Sequence, residues 1–530
     1  MNNFFRANIF LTVGLLLCAC GQSGPAPSPT MTPAVRQTAE LVQRVTATAS
    51  FGPTLLPFPP TQEPTFLPTI EPTQISGLLS NSFSVQTLNA LNGHSLIKIT
   101  GWSYGFRPSG YCFGPYEWMN QNHLLLFPLV GQEYGMGIIQ LSLPVVINYE
   151  SGKVWIPSSG DPSPLSLSSC DRPLWSNTLN ILITTQGEQT IIFSPEGDLI
   201  NRYPGTNASL SPSGTKLMAG GVWMDLLSGK KVDFSSQGLE GLSTWSSDEN
   251  ELYSCCYAYG NVLTGKAYTF ELGGLRYVGR DYGDGFTGIR NLWVMNDTYV
   301  VTHWDFQDDT DYDIFPLIEP STQTYKDLQE LTDIPDDSSC RLGSVAPDRK
   351  RMWVNCYEPS NYLVNLETFA VEPYPGELNV VSWTSSSNFA WLRTFITDNS
   401  PQILSTSTKK LQLLPVAAQV GTIFWHPADD VLAYLSEDGK KLGLLDAQSM
   451  SIQERELPST SGDIVWSPNG EHIALAAEDG SLWQVDYPKL ENLEQLTAPL
   501  PDVHDLQWSP DGTYLAFISG TDIYIVETIK

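Results

Sequence analysis

Three aspartates at alternating positions are the residues best suited to hold a metal ion. Asp309, Asp311 and Asp313 lie two apart in the acidic stretch 305–313. Alternating carboxylates ligate Ca²⁺ in loop sites, but such loops carry a glycine at the sixth position, where this chain has Ile314. The stretch is therefore interpreted as a solvated acidic loop, with a calcium site as the alternative, and no other metal and no cofactor is predicted.

A second stretch, Gly260–Ala267, nearly matches a phosphate-binding loop. In that motif the residue after the lysine is Ser or Thr, whose hydroxyl meets Mg²⁺, and a helix follows. Here the residue is Ala267, and the following segment 268–272 alternates like a strand. The same Ser/Thr-Gly-Lys turn recurs at 151–153 and 228–230, so the stretch is predicted to be a hairpin turn.

Two common motifs of hydrolases are lacking in the sequence. It contains no Gly-x-Ser-x-Gly elbow and no His-Glu-x-x-His pair. The histidines are scattered, which favours structural roles: His94, His123, His303, His426, His472 and His504. No catalytic residue is predicted, and a pair of glycosidase carboxylates among the 57 acidic residues is the enzymatic alternative. A formal charge of -29 disfavours nucleic acid as a partner, because phosphate backbones are repelled.

The N-terminus carries the most specific signal. Arg6 precedes a short apolar run, 9–17, which ends in Leu17-Cys18-Ala19-Cys20. The run is too short to span a bilayer. This segment resembles the signal peptide of bacterial lipoproteins, and the resemblance implies cleavage after Ala19 and lipidation of Cys20. Residues 1–19 are the predicted signal peptide, and an ordinary secretory signal cut at the same bond is the alternative.

A linker rich in proline and threonine follows in residues 20–75. Proline fixes φ and removes the backbone donor, so this stretch is predicted to be a disordered, extended stalk. At about 3.1 Å per residue it would span roughly 100 to 170 Å. Together with lipidation, the stalk predicts a protein anchored to the cell membrane and facing its extracytoplasmic side.

Six further cysteines in an exported chain permit disulfides. Cys340 precedes the first predicted strand of its repeat and Cys356 ends the second, so antiparallel pairing brings these two together. The other candidates are Cys112 with Cys170, at similar positions in successive repeats, and the adjacent Cys255 and Cys256, as a vicinal disulfide or with one free thiol. The absence of a Cys-x-x-Cys pair disfavours metal ligation.

The strands and turns that must position these side chains repeat along the chain at intervals of about 40 residues. The clearest repeat is Trp508-Ser509-Pro510-Asp511-Gly512, in which Pro presets φ, Gly takes the positive φ and Ser and Asp bond to nearby backbone. Apolar runs flank this turn, and a second turn follows in several units. Ten units align on one apolar residue: Trp118, Trp175, Leu210, Trp245, Trp293, Ala346, Trp383, Trp425, Trp466 and Trp508.

Each unit is predicted to hold four short strands, which is one propeller blade. The phrase Trp508–Phe517 resembles the WD40-like Pro-Asp repeat of TolB-type β-propellers. The predicted fold is therefore an all-β propeller of about 8–10 units over residues 76–530. Because propellers commonly have four to eight blades, ten units imply a large ring, two insertions or two smaller rings. The last unit lacks a fourth strand, and Ser95–Thr100 is predicted to complete it and close the ring.

The predicted function is that of a non-catalytic, membrane-anchored scaffold that binds a protein or a glycan. The alternative is an extracellular propeller enzyme that acts on polysaccharide or peptide through loop carboxylates. The aromatic-rich stretch 102–118 offers rings that stack on a sugar or a partner, or that pack beneath the first blade.

Overall fold

Short antiparallel strands joined by tight turns make up the part of the chain that the structure describes. A computed structural model describes residues 83–101, 116–126, 144–157, 173–206, 208–237, 239, 243–246, 248–254, 258–269, 286–295, 299–306, 316–319, 324–328, 332, 334, 340–356, 360–376, 378–394, 401–415 and 417–528. All of them belong to the same compact unit. No helix among the described residues is long and apolar enough to cross a membrane.

The described region begins with a hairpin, and four-stranded sheets follow. The hairpin is β1 (Ser84–Asn89) and β2 (Ser95–Thr100). Sheet 1 holds β3 (Tyr116–Asn120), β4 (His123–Leu126), β5 (Val145–Asn148) and β6 (Lys153–Trp155). Sheet 2 holds β7 (Leu174–Ser176), β8 (Ile181–Gln186), β9 (Gln189–Phe193) and β10 (Leu199–Pro204). Sheet 3 holds β11 (Ser209–Leu210), β12 (Lys216–Ala219), β13 (Val222–Asp225) and β14 (Lys231–Asp233).

The middle of the chain continues the same pattern. Sheet 4 holds β15 (Ser243–Trp245), β16 (Glu251–Ser254), β17 (Ala258–Asn261) and β18 (Lys266–Thr269). Sheet 5 holds β19 (Phe286–Met295), β20 (Tyr299–Phe306), β21 (Pro316–Glu319) and β22 (Thr324–Asp327). Sheet 6 holds β23 (Cys340–Val345), β24 (Arg351–Cys356), β25 (Ser360–Asn365) and β26 (Val371–Pro375). Sheet 7 holds β27 (Leu378–Trp383), β28 (Phe389–Thr394), β29 (Gln402–Ser405) and β30 (Lys410–Leu413).

The C-terminal sheets are the most regular. Sheet 8 holds β31 (Ala418–Trp425), β32 (Val431–Ser436), β33 (Lys441–Asp446) and β34 (Ile452–Glu456). Sheet 9 holds β35 (Ser461–Trp466), β36 (His472–Ala477), β37 (Leu482–Asp486) and β38 (Glu491–Gln495). Sheet 10 holds β39 (Val503–Trp508), β40 (Tyr514–Ser519) and β41 (Asp522–Glu527), to which β2 and then β1 are added.

The described residues thus form nine four-stranded sheets of consecutive antiparallel strands and one five-stranded antiparallel sheet, in which β1 and β2 join β39, β40 and β41. This is the blade architecture of a β-propeller, as the sequence predicts. Each of the ten aligned repeat residues lies in the first strand of its sheet or directly after it. The two-insertion alternative is therefore wrong, because every unit builds a sheet of its own.

The predicted partner of the last unit is confirmed. β2 pairs antiparallel with β41, with Leu96 opposite Val526 and Ile99 opposite Ile523. β1 departs from the expected four-strand unit, since it adds a fifth strand that pairs with β2 through a tight turn. The two ends of the domain therefore share one sheet.

The core consists of the layers between neighbouring sheets. Sheets 1 and 10, at opposite ends of the described chain, share such a layer, which includes Leu124, Ile147, Ile518 and Ile525. Where neighbouring sheets come closest, they do so through their first strands. Fourth strands such as β10 and β34 are largely exposed. In a radial arrangement the first strands are therefore the inner ones and the fourth strands the outer ones.

Candidate functional site

The repeated turn after each first strand is held by its own side chains. The Ser509 hydroxyl donates to Asp511 Oδ1 at 2.6 Å and accepts from the Tyr514 N–H at 2.9 Å. Burial works against the charged form of Asp511, but the hydrogen bonds from Ser509 and Thr513 outweigh it and hold the pKa of Asp511 below its ordinary value. Gly512 takes φ 73°, the left-handed conformation that this turn position requires. These residues shape the turn and are not available to a ligand.

The repeated tryptophan joins neighbouring sheets. Its indole N–H donates to a backbone carbonyl on the first strand of the preceding sheet. These bonds run from Trp425 to Ser382, from Trp466 to Phe424 and from Trp508 to Val465, each at 3.2 Å. Trp118 of sheet 1 makes the same bond to Gln507 of sheet 10 at 3.1 Å. Sheets 1 and 10 are therefore joined by the same indole-to-carbonyl hydrogen bond that joins consecutive sheets.

Turns of neighbouring sheets are also bonded to one another. His426 stands at the turn position that serine occupies in sheets 9 and 10, and its Nδ1 accepts the Asp429 N–H at 2.7 Å. Its Nε2 therefore carries the proton and donates to the Gly470 carbonyl in sheet 9 at 3.0 Å. Ser176 makes the corresponding bond to the Gly214 carbonyl at 2.6 Å. We call the end of the sheets where these turns lie, after each first strand, the short-turn end.

The two ends of the sheets differ in the length of their connections. Turns from the first to the second strand and from the third to the fourth lie at the short-turn end and hold two to five residues in sheets 1 to 9; in sheet 10 the first of these turns holds five residues, and no turn joins β41 to β2. The strand ends that the other connections join lie at the opposite end, because neighbouring strands are antiparallel. Seven of these connections hold nine or more residues: 101–115, 127–144, 156–173, 234–242, 270–285, 307–315 and 328–339. We call this the long-connection end.

A cluster of titratable side chains lies where inner strands begin at the long-connection end. Asp463 is on β35, while His504 and Asp505 are on β39. His504 Nδ1 lies 3.0 Å from Asp505 Oδ2. From sheet 1, the buried Tyr116 hydroxyl donates to the Asp505 carbonyl at 2.5 Å. We call these three residues, Asp463, His504 and Asp505, the inner-strand cluster. It lies near the contact between sheets 1 and 10.

The protonation states of this cluster are perturbed in opposite senses. Burial raises the pKa of Asp463 from 3.8 to about 6; the Ile464 N–H opposes this shift and the Asp505 charge adds to it. The hydrogen bond with Asp505 raises the pKa of His504, against the effect of burial. Asp463 thus takes up a proton at a higher pH than an ordinary aspartate. It lies near His504, whose charged form is favoured by the hydrogen bond with Asp505.

Backbone irregularities shape the same place. The β35–β36 register shifts between Ser461 and Asp463, and the β39–β40 register shifts between His504 and Gln507. Asp505 takes φ 54°, in the left-handed region. Bulges turn side chains away from the regular alternation of a strand and are common beside functional sites. The sequence has no periodic signal for such a shift, so it predicts no site from Asp463 and Asp505 and favours only a structural role for His504.

The arrangement offers hydrogen-bond donors and acceptors of both charge states at the inner strand ends. Such groups suit a polar ligand, and a carboxyl next to an ion pair also suits proton transfer. Within the described ranges, no group of three or more His, Cys, Asp or Glu side chains is placed to hold a metal ion.

The structure decides some of the sequence-predicted sites. Gly260–Ala267 spans the hairpin between β17 and β18, so the phosphate-loop interpretation is excluded. His472 bonds to Asp486 at 3.0 Å, and His94 lies 3.3 Å from Glu494. Backbone pairing places Cys340 directly opposite Cys356, the register that their predicted disulfide needs. These other residues lie outside the described ones: Cys20, Cys112, Cys170, Cys255, Cys256, Asp309, Asp311, Asp313 and the aromatic stretch before Tyr116.

Known proteins resemble this chain in structure only. No family model and no curated protein matches the chain. A crystal structure of a eukaryotic initiation factor is 12% identical, covering 71% of this chain and 86% of that chain, with a TM-score of 0.40. The β-propeller domain of Cps50 (Swd1) from Myceliophteria thermophila is 13% identical, covering 61% of this chain and 97% of that chain, with a TM-score of 0.28.

Proposed function

We propose that this protein is a lipid-anchored, non-catalytic scaffold that binds a protein or glycan ligand at its long-connection end, outside the cytoplasmic membrane. A propeller-like fold supports a protein-binding scaffold in general. The location and the anchor are inferred from the signal segment ending at Cys20 and from the stalk 20–75. The residue-level resemblance to TolB-type repeats is consistent with this proposal.

The observation that carries the proposal is the contrast between the two ends of the sheets. At the short-turn end, side chains and backbone groups are engaged in bonds within and between turns, such as His426 to Gly470. The connections that join strand ends at the long-connection end contain most of the residues that lie between strands. Binding residues concentrate on such connections, because a rigid scaffold holds them while their sequence is free to vary.

The anchor is tested by Cys20→Ala in the full chain. We expect wild-type protein to incorporate radiolabelled palmitate and to sediment with membranes, and the variant to lose the label. Labelling that survives the substitution refutes lipidation at this residue. A variant that carries no label but still sediments with membranes after a high-salt wash refutes the lipid as the anchor.

The binding end is tested by placing one photo-crosslinking amino acid at either end of the full chain in intact cells. Gly462 is exposed on β35, with open space at its Cβ position, near the long-connection end. Leu227 is 70% exposed in the β13–β14 turn and is the matched control at the short-turn end. We expect crosslinked protein or glycan at Gly462 and none at Leu227. Equal crosslinking at both positions contradicts the proposal.

A second candidate function, a hydrolase, is favoured by one observation. The pKa of Asp463 is raised to about 6, while neighbouring Asp505 is ion-paired, and an acid and a base in glycosidases differ in this way. Activity on a panel of polysaccharides and peptides that Asp463→Asn abolishes, without loss of ligand crosslinking at Gly462, would replace the scaffold proposal.

A further inference from the structure

The outer edge of sheet 10 is unlike every other outer edge in the described chain. Its outermost strand is β1, with the sequence Ser-Val-Gln-Thr-Leu-Asn, which has no charged residue and no proline. The other nine outermost strands each contain a charged residue: Lys153 in β6, Arg202 in β10, Lys231 in β14, Lys266 in β18, Lys326 in β22, Glu372 in β26, Lys410 in β30, Glu454 in β34 and Glu491 in β38.

Charges and prolines on edge strands prevent unintended pairing with another strand. Nine outer edges of this protein therefore carry protection that β1 lacks. β1 also lies one strand beyond the four-stranded unit, since β2 already fills the fourth position of sheet 10. All its side chains are exposed except that of Val85, which is half-buried.

Among the described residues, no strand pairs with the outer side of β1. At the end of the hairpin, the Ala90 N–H donates to the His94 carbonyl, on the side of β2, at 3.1 Å. The β1–β2 register runs without a shift, and backbone groups alternate sides along an antiparallel strand. The N–H and C=O groups of Val85, Thr87 and Asn89 therefore point away from β2.

We propose that this edge binds the same edge of a second copy of the chain. A two-fold axis perpendicular to the sheet, midway between the two Thr87 residues, aligns the two β1 strands antiparallel. It places Thr87 opposite Thr87 of the second copy and Val85 opposite Asn89, with two backbone bonds in each pair. The two five-stranded sheets then form one continuous sheet, and opposed threonines are a favourable cross-strand pair.

The lack of charge in β1 favours a second copy of β1 as its pairing partner. Pairing needs a strand that brings no unmatched charge, and β1 is the one outermost strand in the described chain without charge or proline. The formal charge of -29 on each copy opposes the approach of the rest of the molecule. Two short strands also bury less than the ~1,200 Å² of stable complexes. The dimer is therefore weak, and salt strengthens it by screening the repulsion.

The test is disulfide crosslinking of the full chain in intact envelopes with Thr87→Cys. Directly opposed residues of a backbone-bonded pair lie with their Cα atoms about 5.5 Å apart, within the range that a disulfide spans. Gln412→Cys, an exposed substitution on the charged outer strand β30, is the matched control. The unsubstituted chain reports any crosslinking through the native cysteines.

We expect mild oxidation to give at least about tenfold more dimer with Thr87→Cys than with either control. The yield should rise between 50 mM and 500 mM salt as screening improves. Equal yields from Thr87→Cys and Gln412→Cys, or no dimer at either salt concentration, overturn the proposal. Crosslinking of Thr87→Cys to a polypeptide of another mass also overturns it, because the occupant is then a different protein.

Discussion

Replacing Ile99 by alanine tests how the two ends of the domain are joined. Ile99 lies on β2, is fully buried, and packs in the layer shared by sheets 1 and 10. Truncation of a buried isoleucine to alanine costs about 2–5 kcal/mol, from lost burial and the cavity that remains. We expect a loss in that range, because Leu124, Ile518 and Ile525 surround the site on rigid strands that cannot collapse into the gap.

The melting temperature of the full chain, followed by the near-ultraviolet circular dichroism of its aromatic side chains, measures this loss. A domain of about 450 residues has an unfolding entropy near 1 kcal/mol per degree, so the expected decrease is about 2–5 °C. Leu88→Ala is the control, since Leu88 is 38% exposed on neighbouring β1 and should change the melting temperature by less than about 1 °C.

An unchanged melting temperature for Ile99→Ala would refute the inference that β2 is a structural part of sheet 10. The same inference predicts that a chain lacking residues 1–104 is markedly less stable, because sheet 10 then loses its fourth strand. A truncated chain that melts at the wild-type temperature would show that the ends of the domain do not depend on each other.

Three further predictions concern individual residues. Gly470→Ala should lower the melting temperature by several degrees, because a Cβ there would lie 2.1 Å from Nε2 of His426, whereas Gly376→Ala, at a similar positive φ with open space, should cost less. The raised pKa of Asp463 makes its contribution to stability decline as pH rises from about 4 through 6, so Asp463→Asn should stabilise the protein by on the order of 1–3 kcal/mol at pH 7.5 and by little at pH 4 in thermal melts. Peptide mapping without reductant should recover Cys340 linked to Cys356, and recovery of both as free thiols would contradict the pairing.

The repeat pattern was enough to predict the fold. Trp, Ser, Pro, Asp and Gly at fixed positions near Trp508 specify a tight turn between two apolar strands, and these signals are local in sequence. The same locality predicted that Ser95–Thr100 would serve as the missing strand, because an apolar segment was left over and one sheet was incomplete. β1 escaped prediction because nothing in its six residues indicates that a blade will accept a fifth strand.

The candidate site could not be predicted in the same way. Asp463 and Asp505 are 42 positions apart in sequence and belong to different repeats, so only the packing of sheet 9 against sheet 10 brings them together. Bulges at both places shift the register, which breaks the alternation from which side-chain direction is read. The raised pKa of Asp463 is likewise a property of its burial and not of its residue type.

By itself, the sequence determined the repeated turns and most of the strands, because these depend on residues within a few positions of one another, and it left the number of blades at about 8–10. It also supplied the signal at Cys20, which depends on a short local motif. The tertiary structure decided which strands share sheet 10, what the repeated tryptophans bond to, and that the Asp463 carboxyl lies close enough to Asp505 to be affected by its charge. Each of these depends on groups from different sheets, and their distance is set by packing, not by spacing along the chain.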